Sequence, residues 1–241
     1  LMPYSGGLAR NIVQCLDDVG IPLKLSHTVT EIRGKERVEG VTVAAVDENH
    51  RPIPGTEEDF DCDTLLLSVG LIPENELTRS AGIPIDRMTN GAVVDQNRET
   101  EVPGIYACGN VLHVHDLVDF VSEEAAIAGK AAAERIAGKS AETARTIRVK
   151  TGMGVRYTVP EALRLPEIPN TPVRVFFRVT DIFKKVRLLI TDDDGNVLVK
   201  NAKSAVAPGE MESMTLSPEV LAELMARDAA EITVSLEVRE G

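Results

Sequence analysis

Apolar residues at Leu8, Ile12, Cys15, Leu16 and Val19 recur at spacings of three and four, which predicts a helix that Ser5-Gly6-Gly7 opens and Gly20 closes. Short apolar runs at Leu23–Leu25, Val29–Ile32 and Val38–Val46 then read as strands, the last an alternating Val-rich stretch. Asp47 to Asp63 carries Pro52, Pro54, Gly55 and the acids Glu57-Glu58-Asp59-Phe60-Asp61, which reads as a solvated hairpin loop rather than a metal site. Thr64-Leu65-Leu66-Leu67-Ser68-Val69-Gly70 is wholly apolar around one serine and ends in glycine. Such a run predicts a strand buried on both faces, as in the parallel sheet of an α/β fold. Ile105-Tyr106-Ala107-Cys108-Gly109 predicts a second of the same kind, with Ala92-Val93-Val94-Asp95 as a hydrophobic strand between them.

From Ser122 to residue 137 an Ala-rich helix is expected, its small side chains suited to close packing on a sheet or ligand. After residue 145 the texture changes to short β-rich runs (Ile147–Lys150, Val173–Thr180, Val186–Thr191, Val197–Lys200, Ile232–Val238) separated by turns such as Asp192-Asp193-Asp194-Gly195-Asn196. One helix interrupts them, capped by Ser217 with Pro218 as its first residue and running through Met225. About seven short strands over that length predict an all-β sandwich of immunoglobulin-like architecture, without the Cys…Trp…Cys core of true immunoglobulins. The alternation in Val173-Arg174-Val175-Phe176-Phe177-Arg178-Val179 suggests one face buried and one wet, and a stretch of that size can form a core of its own.

Charge sharpens the division. The chain of 241 residues has a formal net charge of −12, but residues 1–138 hold 11 basic and 23 acidic side chains while 139–241 hold 15 of each. Two domains follow, at 1–140 and 145–241. An acidic chain with eight aromatic residues and no tryptophan lacks the basic face and stacking rings of a nucleic-acid binder. No apolar run approaches a membrane span and the first residues do not form a signal peptide, so neither nucleic acid nor membrane is an expected partner. Cys15, Cys62 and Cys108 form neither a disulfide framework nor a zinc cluster, which suits a reducing cytoplasm. As thiols, Cys15 and Cys108 fit core packing better than catalysis.

Candidate chemistry centres on Thr100-Glu101-Val102-Pro103-Gly104-Ile105-Tyr106-Ala107-Cys108-Gly109-Asn110. A strand end without a Cβ lets backbone approach a ligand, and the Asn110 amide can both donate to and accept from hydroxyls. The next helix can aim unsatisfied N–H groups at an electron-rich carbonyl. Beyond it, His113-Val114-His115-Asp116 with Asp119 admits three readings: two imidazoles and a carboxylate for a metal, an acid/base or contact beside a bound cofactor or substrate, or a solvated loop with incidental histidines. No metal is assigned to it.

This segment resembles the second FAD motif, T-x-x-x-x-I-[YF]-A-x-G-D, of the pyridine nucleotide–disulfide oxidoreductases and NAD(FAD)-dependent dehydrogenases, with Asn110 at the motif's Asp. Ser68-Val69-Gly70-Leu71-Ile72-Pro73-Glu74-Asn75 resembles the family's A-T-G-x-x-P-N segment, with one residue inserted before Asn75. The resemblance implies a partial two-dinucleotide-binding-domain α/β fold, with 5–70 the remainder of the NAD domain and 71–138 the C-terminal part of the FAD domain. It implies FAD and NAD(P) as cofactors, with flavin contacts at Gly70, Gly109, Asn110, Phe120, Val121 and Ser122, and leaves the catalytic residues open. It also implies transfer of electrons from a nicotinamide through flavin to an acceptor, by a homo-oligomer or with a partner redox subunit. The family's two G-x-G-x-x-G fingerprints do not occur; Gly152-Met153-Gly154 has only two glycines and precedes no helix. The chain therefore reads as the C-terminal portion of a longer flavoenzyme, inactive by itself. The competing reading is a non-catalytic binding or scaffolding module with a vestigial flavin half.

Overall fold

The computed structural model describes residues 1–5 and 9–238. The expected opening of the first helix at Gly6, Gly7 and Leu8 lies outside them; helix α1 is described from Ala9 to Cys15. Residues 1–70 and 71–241 form two compact units. The boundary expected between 140 and 145 therefore runs inside the second.

In the first unit, β1 (His27–Arg33), β2 (Gly40–Ala45) and β3 (Glu58–Asp61) form an antiparallel sheet in that order. Val41 and Ala44 of β2 are buried on opposite faces while Val43 is half-buried, so the alternation expected of its valines is not followed. The acidic run expected as a solvated hairpin is exposed throughout and supplies β3, the second strand of an antiparallel hairpin with β2. Its carboxylates meet cations across the sheet, Lys24 Nζ with Glu58 at 2.7 Å and Arg33 with Asp61 at 3.3 Å, while the Thr42 hydroxyl donates to Asp59 at 2.7 Å. Leu23–Leu25 forms no strand. The twice-buried strand expected at 64–70 is also overturned: Leu66, Leu67 and Val69 are exposed and the segment is irregular. Among the described residues no strand lies beside it, so its apolar side chains have nothing to pack against.

The second unit begins with α2 (Glu76–Ser80) and a set of close turns, not with strands of a parallel sheet. Ala92, Val94 and Ala107 are buried as expected, but only single antiparallel bridges, Ile85–Ala92, Val94–Thr100 and Glu99–Tyr106, join their segments. Helix α3 (Val118–Ile136) follows. Only Glu124 and Ala128 of it are fully buried, with Phe120, Val121, Ala131 and Ala132 half-buried, so most of its alanines do not make the close packing expected of them.

Eight strands complete the unit: β4 (Arg145–Thr151), β5 (Val155–Val159), β6 (Ala162–Leu165), β7 (Val173–Val179), β8 (Phe183–Asp192), β9 (Val197–Val206), β10 (Glu212–Leu216) and β11 (Glu231–Val238). They form a three-stranded sheet, β10-β7-β5, and a five-stranded sheet, β6-β4-β11-β8-β9. Both contribute to one core, with Val175 and Phe177 on one side and Leu188, Ile190, Ile232 and Val234 on the other. Helix α4 (Pro218–Ala226) starts where expected: the Ser217 side chain accepts from the Val220 N–H, and Leu221 and Leu224 enter the core. Gly152-Met153-Gly154 is the turn from β4 to β5, not a nucleotide loop.

The expectation of a wet outer face on Val173–Val179 fails at β7. Its second face carries Phe176, buried against the rings of His113 and His115, and Arg178, whose guanidinium meets Asp116 at 2.5 Å. Tyr157 and Val159 share a second core with Ile83, Ala92, Val94 and Leu112. Gln96 and Arg164 add two reciprocal hydrogen bonds of 2.7 and 2.8 Å. A β-region that shares a core and a polar face with residues 75–116 is one unit with them, and a cut at 140–145 would expose both.

Glu161, between β5 and β6, shows the cost of that packing. Its Oε2 accepts from the Val94 N–H at 3.0 Å, while Oε1 is buried without a partner. Burial pushes its pKa up to about 8, against the lowering effect of the Val94 N–H. Above the ordinary value of 4.5 the unfolded chain releases this proton, whereas the folded chain keeps it until about 8. Stability contributed by the site is thus full below 4.5 and declines as pH rises through that window, by at most ~1.4 kcal/mol per pH unit. Glu161→Gln, which keeps shape without an ionisable proton, is expected to flatten that part of the melting temperature against pH curve and to raise melting at pH 8. An unchanged slope between pH 5 and 8 would show that Glu161 is ionised in the fold.

Candidate functional site

The segment Thr100–Asn110 is held from three directions. The Thr100 N–H donates to the Ile105 carbonyl at 2.9 Å, closing the Val102-Pro103-Gly104 turn. Arg164 donates to the Thr100 carbonyl at 3.1 Å. At its far end Gly109 is buried with φ +71°, a conformation that favours glycine, and a Cβ there would stand 3.2 Å from Val121 Cγ1. Asn75 clamps the neighbouring turns: its Nδ2 donates to the carbonyls of Asn90 at 2.8 Å and Val111 at 2.7 Å, while Thr78 donates to its Oδ1. The Pro73…Asn75 segment therefore braces the loop that carries Gly109.

Glu124 organises everything beneath this loop. It lies on α3 between Val121 and Ala128, the helical spacing that points a side chain inward. Oε1 accepts from Arg98 Nε at 2.7 Å and faces His113 Nε2 at 3.2 Å; Oε2 accepts from the Gly109 N–H at 2.7 Å and faces His115 Nε2 at 3.0 Å. All three partner side chains are buried. Burial pushes the Glu124 carboxyl up, but the histidine hydrogen bonds and the Arg98 charge outweigh it and hold the group well below the usual carboxylate range. An ionised carboxylate only accepts, so both imidazoles carry their proton on Nε2. Burial lowers the His113 pKa and favours its neutral form, against the pull of Glu124. The Nδ1 atoms of both rings and Arg98 Nη2 are buried without partners among the described residues.

The histidines are therefore not a solvated loop. Their rings sit 4.2 Å apart in an edge-to-face arrangement and pack on Phe176, with Phe120 against His115. Asp116 does not join them: its carboxylate accepts from Arg178 and, at 2.6 Å, from the Met211 N–H, pinning the loop to the β-region. Asp119 is exposed on the first turn of α3.

Five of the six expected flavin contacts come together here. Asn110 is exposed, with its Oδ1 taken by the His115 N–H at 3.1 Å. Phe120 and Val121 are half-buried at the start of α3, and the Ser122 hydroxyl is used within the helix, donating to the Val118 carbonyl. Gly70, with φ +88°, is exposed in the first unit. Leu117 at the α3 N-cap supplies no side-chain cap; the Phe120 N–H donates to the Leu117 carbonyl at 3.2 Å, which leaves the Val118 and Asp119 N–H groups for other acceptors. Cys108 is half-buried, and burial raises its thiol pKa, the opposite of an activated nucleophile; Cys15 is exposed rather than packed. Sequence reasoning missed Arg98 and Glu124. The available signal was a glutamate in register with Val121 and Ala128, four residues before an inward alanine.

The family model of the pyridine nucleotide-disulphide oxidoreductases matches residues 3–153, and the chain belongs to that family. It is similar to an NADH oxidase of Methanocaldococcus jannaschii, 28% identical over 144 residues that make up 56% of this chain and 28% of that protein. It is 32% identical over 114 residues to an NADH oxidase of Streptococcus pneumoniae (47% of this chain, 22% of the relative), and 35% identical over 118 residues to a dihydrolipoyl dehydrogenase of Bacillus subtilis (48% and 23%). The chain thus spans about a quarter of the length of these relatives. Among solved structures, thioredoxin reductase of T. acidophilum aligns with a TM-score of 0.48 and 27% identity, over 56% of this chain and 43% of that one. No described helix is long and apolar enough to cross a membrane.

Proposed function

We propose that this chain is part of an FAD-dependent NAD(P)H oxidoreductase and carries the ribityl and isoalloxazine side of its flavin site. The observation that carries the reading is the Gly109–Ser122 segment. A left-handed glycine is locked by a buried carboxylate, an exposed amide follows, and an uncapped helix start stands next in the chain. These fit the flavin: the Asn110 Nδ2 group is free to donate to a hydroxyl, and the first α3 amides can meet a carbonyl that becomes electron-rich on reduction. FAD, when bound, would accept the hydride of the nicotinamide and pass electrons to an acceptor. Residues 5–70 would belong to the nicotinamide domain. The protein would act in the cytoplasm, as a homo-oligomer or with a partner redox subunit, and the β-region would serve docking rather than chemistry.

With neither glycine-rich fingerprint present to hold the pyrophosphate, this chain should bind FAD weakly. Flavin fluorescence titration of the purified chain is expected to give weak, saturable quenching. Asn110→Leu should weaken it by ~5–150-fold, the effect of losing hydrogen bonds worth on the order of 1–3 kcal/mol. Asn110→Asp should retain it. No quenching at any flavin concentration, or a dissociation constant unmoved by Asn110→Leu, would count against the reading and favour a scaffolding module.

A further inference from the structure

His113, His115 and Glu124 have a use that does not depend on flavin. We propose that they bind one divalent transition-metal ion of borderline softness, zinc in type, through His113 Nε2, His115 Nε2 and the Glu124 carboxylate. Two imidazole nitrogens and a carboxylate oxygen are donors suited to zinc, and each of the three residues offers an atom within 4.8 Å of the others. The donor atoms also lie close together. With metal–ligand bonds of about 2.0–2.2 Å in a tetrahedral site, neighbouring ligand atoms stand ~3.3 Å apart. His113 Nε2 stands 3.2 Å from Oε1 and His115 Nε2 3.0 Å from Oε2, so an ion between the two rings would be held by the carboxylate through both of its oxygens. An ion there would take the place of the two Nε2 protons, with the rings closing on it from within that 4.8 Å.

The surroundings hold those donors still. The imidazoles are gripped by Phe176, Tyr157 and Phe120, and Glu124 comes from the interior face of a long helix. Arg98 Nε and the Gly109 N–H approach the carboxylate from outside the three, in the manner of outer-shell donors that orient a ligating carboxylate. The guanidinium charge opposes any cation. The donor set, two imidazoles and one carboxylate, favours zinc over magnesium or calcium, which need a shell of oxygens. Protons balance without a partner. The metal takes the place of the proton on each Nε2, and each ring then carries its proton on Nδ1, the atom now buried and unpartnered.

The test uses the purified 241-residue chain, stripped with a chelator and then dialysed against zinc, cobalt or magnesium. Plasma emission spectroscopy should find about one equivalent of zinc, and cobalt should develop the visible ligand-field absorption of nitrogen coordination. Zinc should also raise the melting temperature where magnesium does not. The double variant His113→Ala/His115→Ala should lose at least nine-tenths of the bound zinc. His115→Gln, which keeps a polar amide in the cavity, provides a milder variant if the double one fails to fold, and should lower zinc affinity at least tenfold. Retention of less than half an equivalent by the native chain, zinc binding unchanged in the variants, or an equal response to magnesium would overturn the proposal and leave the cluster an internal ion-pair network. None of these outcomes bears on flavin binding, which is read separately by fluorescence.

Discussion

Replacing Glu124 with alanine is expected to destabilise the second unit by about 3–5 kcal/mol, the usual consequence of removing one partner from a buried ion pair. Arg98 is 1% exposed and already has one nitrogen without a partner; the substitution takes away its remaining carboxylate. The Gly109 N–H and both Nε2 groups lose their acceptor at the same time. Glu124→Gln keeps an acceptor and the volume and should cost less. The pair Arg98→Met/Glu124→Ala should recover part of the loss, since no charge is then stranded in the interior. Urea unfolding followed by circular dichroism measures all three. A single Glu124→Ala variant within 1 kcal/mol of the native chain would mean that water reaches Arg98 in solution.

Gly91→Ala should be comparably severe for a steric reason. A Cβ built on Gly91 would stand 1.7 Å from the Leu112 carbonyl oxygen and 2.5 Å from its carbon. These are backbone atoms fixed by the Asn75 clamp on either side, at Asn90 and Val111, so they cannot turn away as a side chain would. The loss is expected at or above ~3 kcal/mol, the top of the range for overpacking. Gly129 is the control. It lies on α3, exposed, with open space where a Cβ would go, so Gly129→Ala should stabilise by roughly 0.5–1 kcal/mol through helix propensity. Equal melting temperatures for the two variants would show that the Gly91–Leu112 approach is not present in solution.

What the sequence disclosed follows from how local each signal is. Ser217-Pro218 is a contained cap, and α4 begins there. The alternating valines and leucines of β8 and β11 need only one apolar face to be read, and those faces are buried. The family motifs brought Gly109, Asn110 and Asn75 to notice, though Asn75 proves to be a brace for two loops. The failures all depend on partners distant along the chain. Leu66, Leu67 and Val69 look like core residues but are exposed. His113 and His115 look like loop residues because the carboxylate and rings that enclose them lie on α3, β5 and β7. Phe176 and Arg178 face outward by the simple alternation rule, yet that outward face meets a second layer. Periodicity tells which face is apolar; it does not tell what covers the other one.

The place of β11 in its sheet bears on how the protein is made. It lies between β4, which it pairs in parallel, and β8, which it pairs antiparallel, so the central strand is the one translated after the other four. Until it leaves the ribosome, β6-β4 and β8-β9 are separate hairpin-like halves, each with an open edge where β11 belongs. Pairing across some eighty residues is slow to form. During that interval the nascent chain displays two unpaired strand edges backed by apolar faces, the surfaces that chaperones that hold unfinished chains are suited to cover.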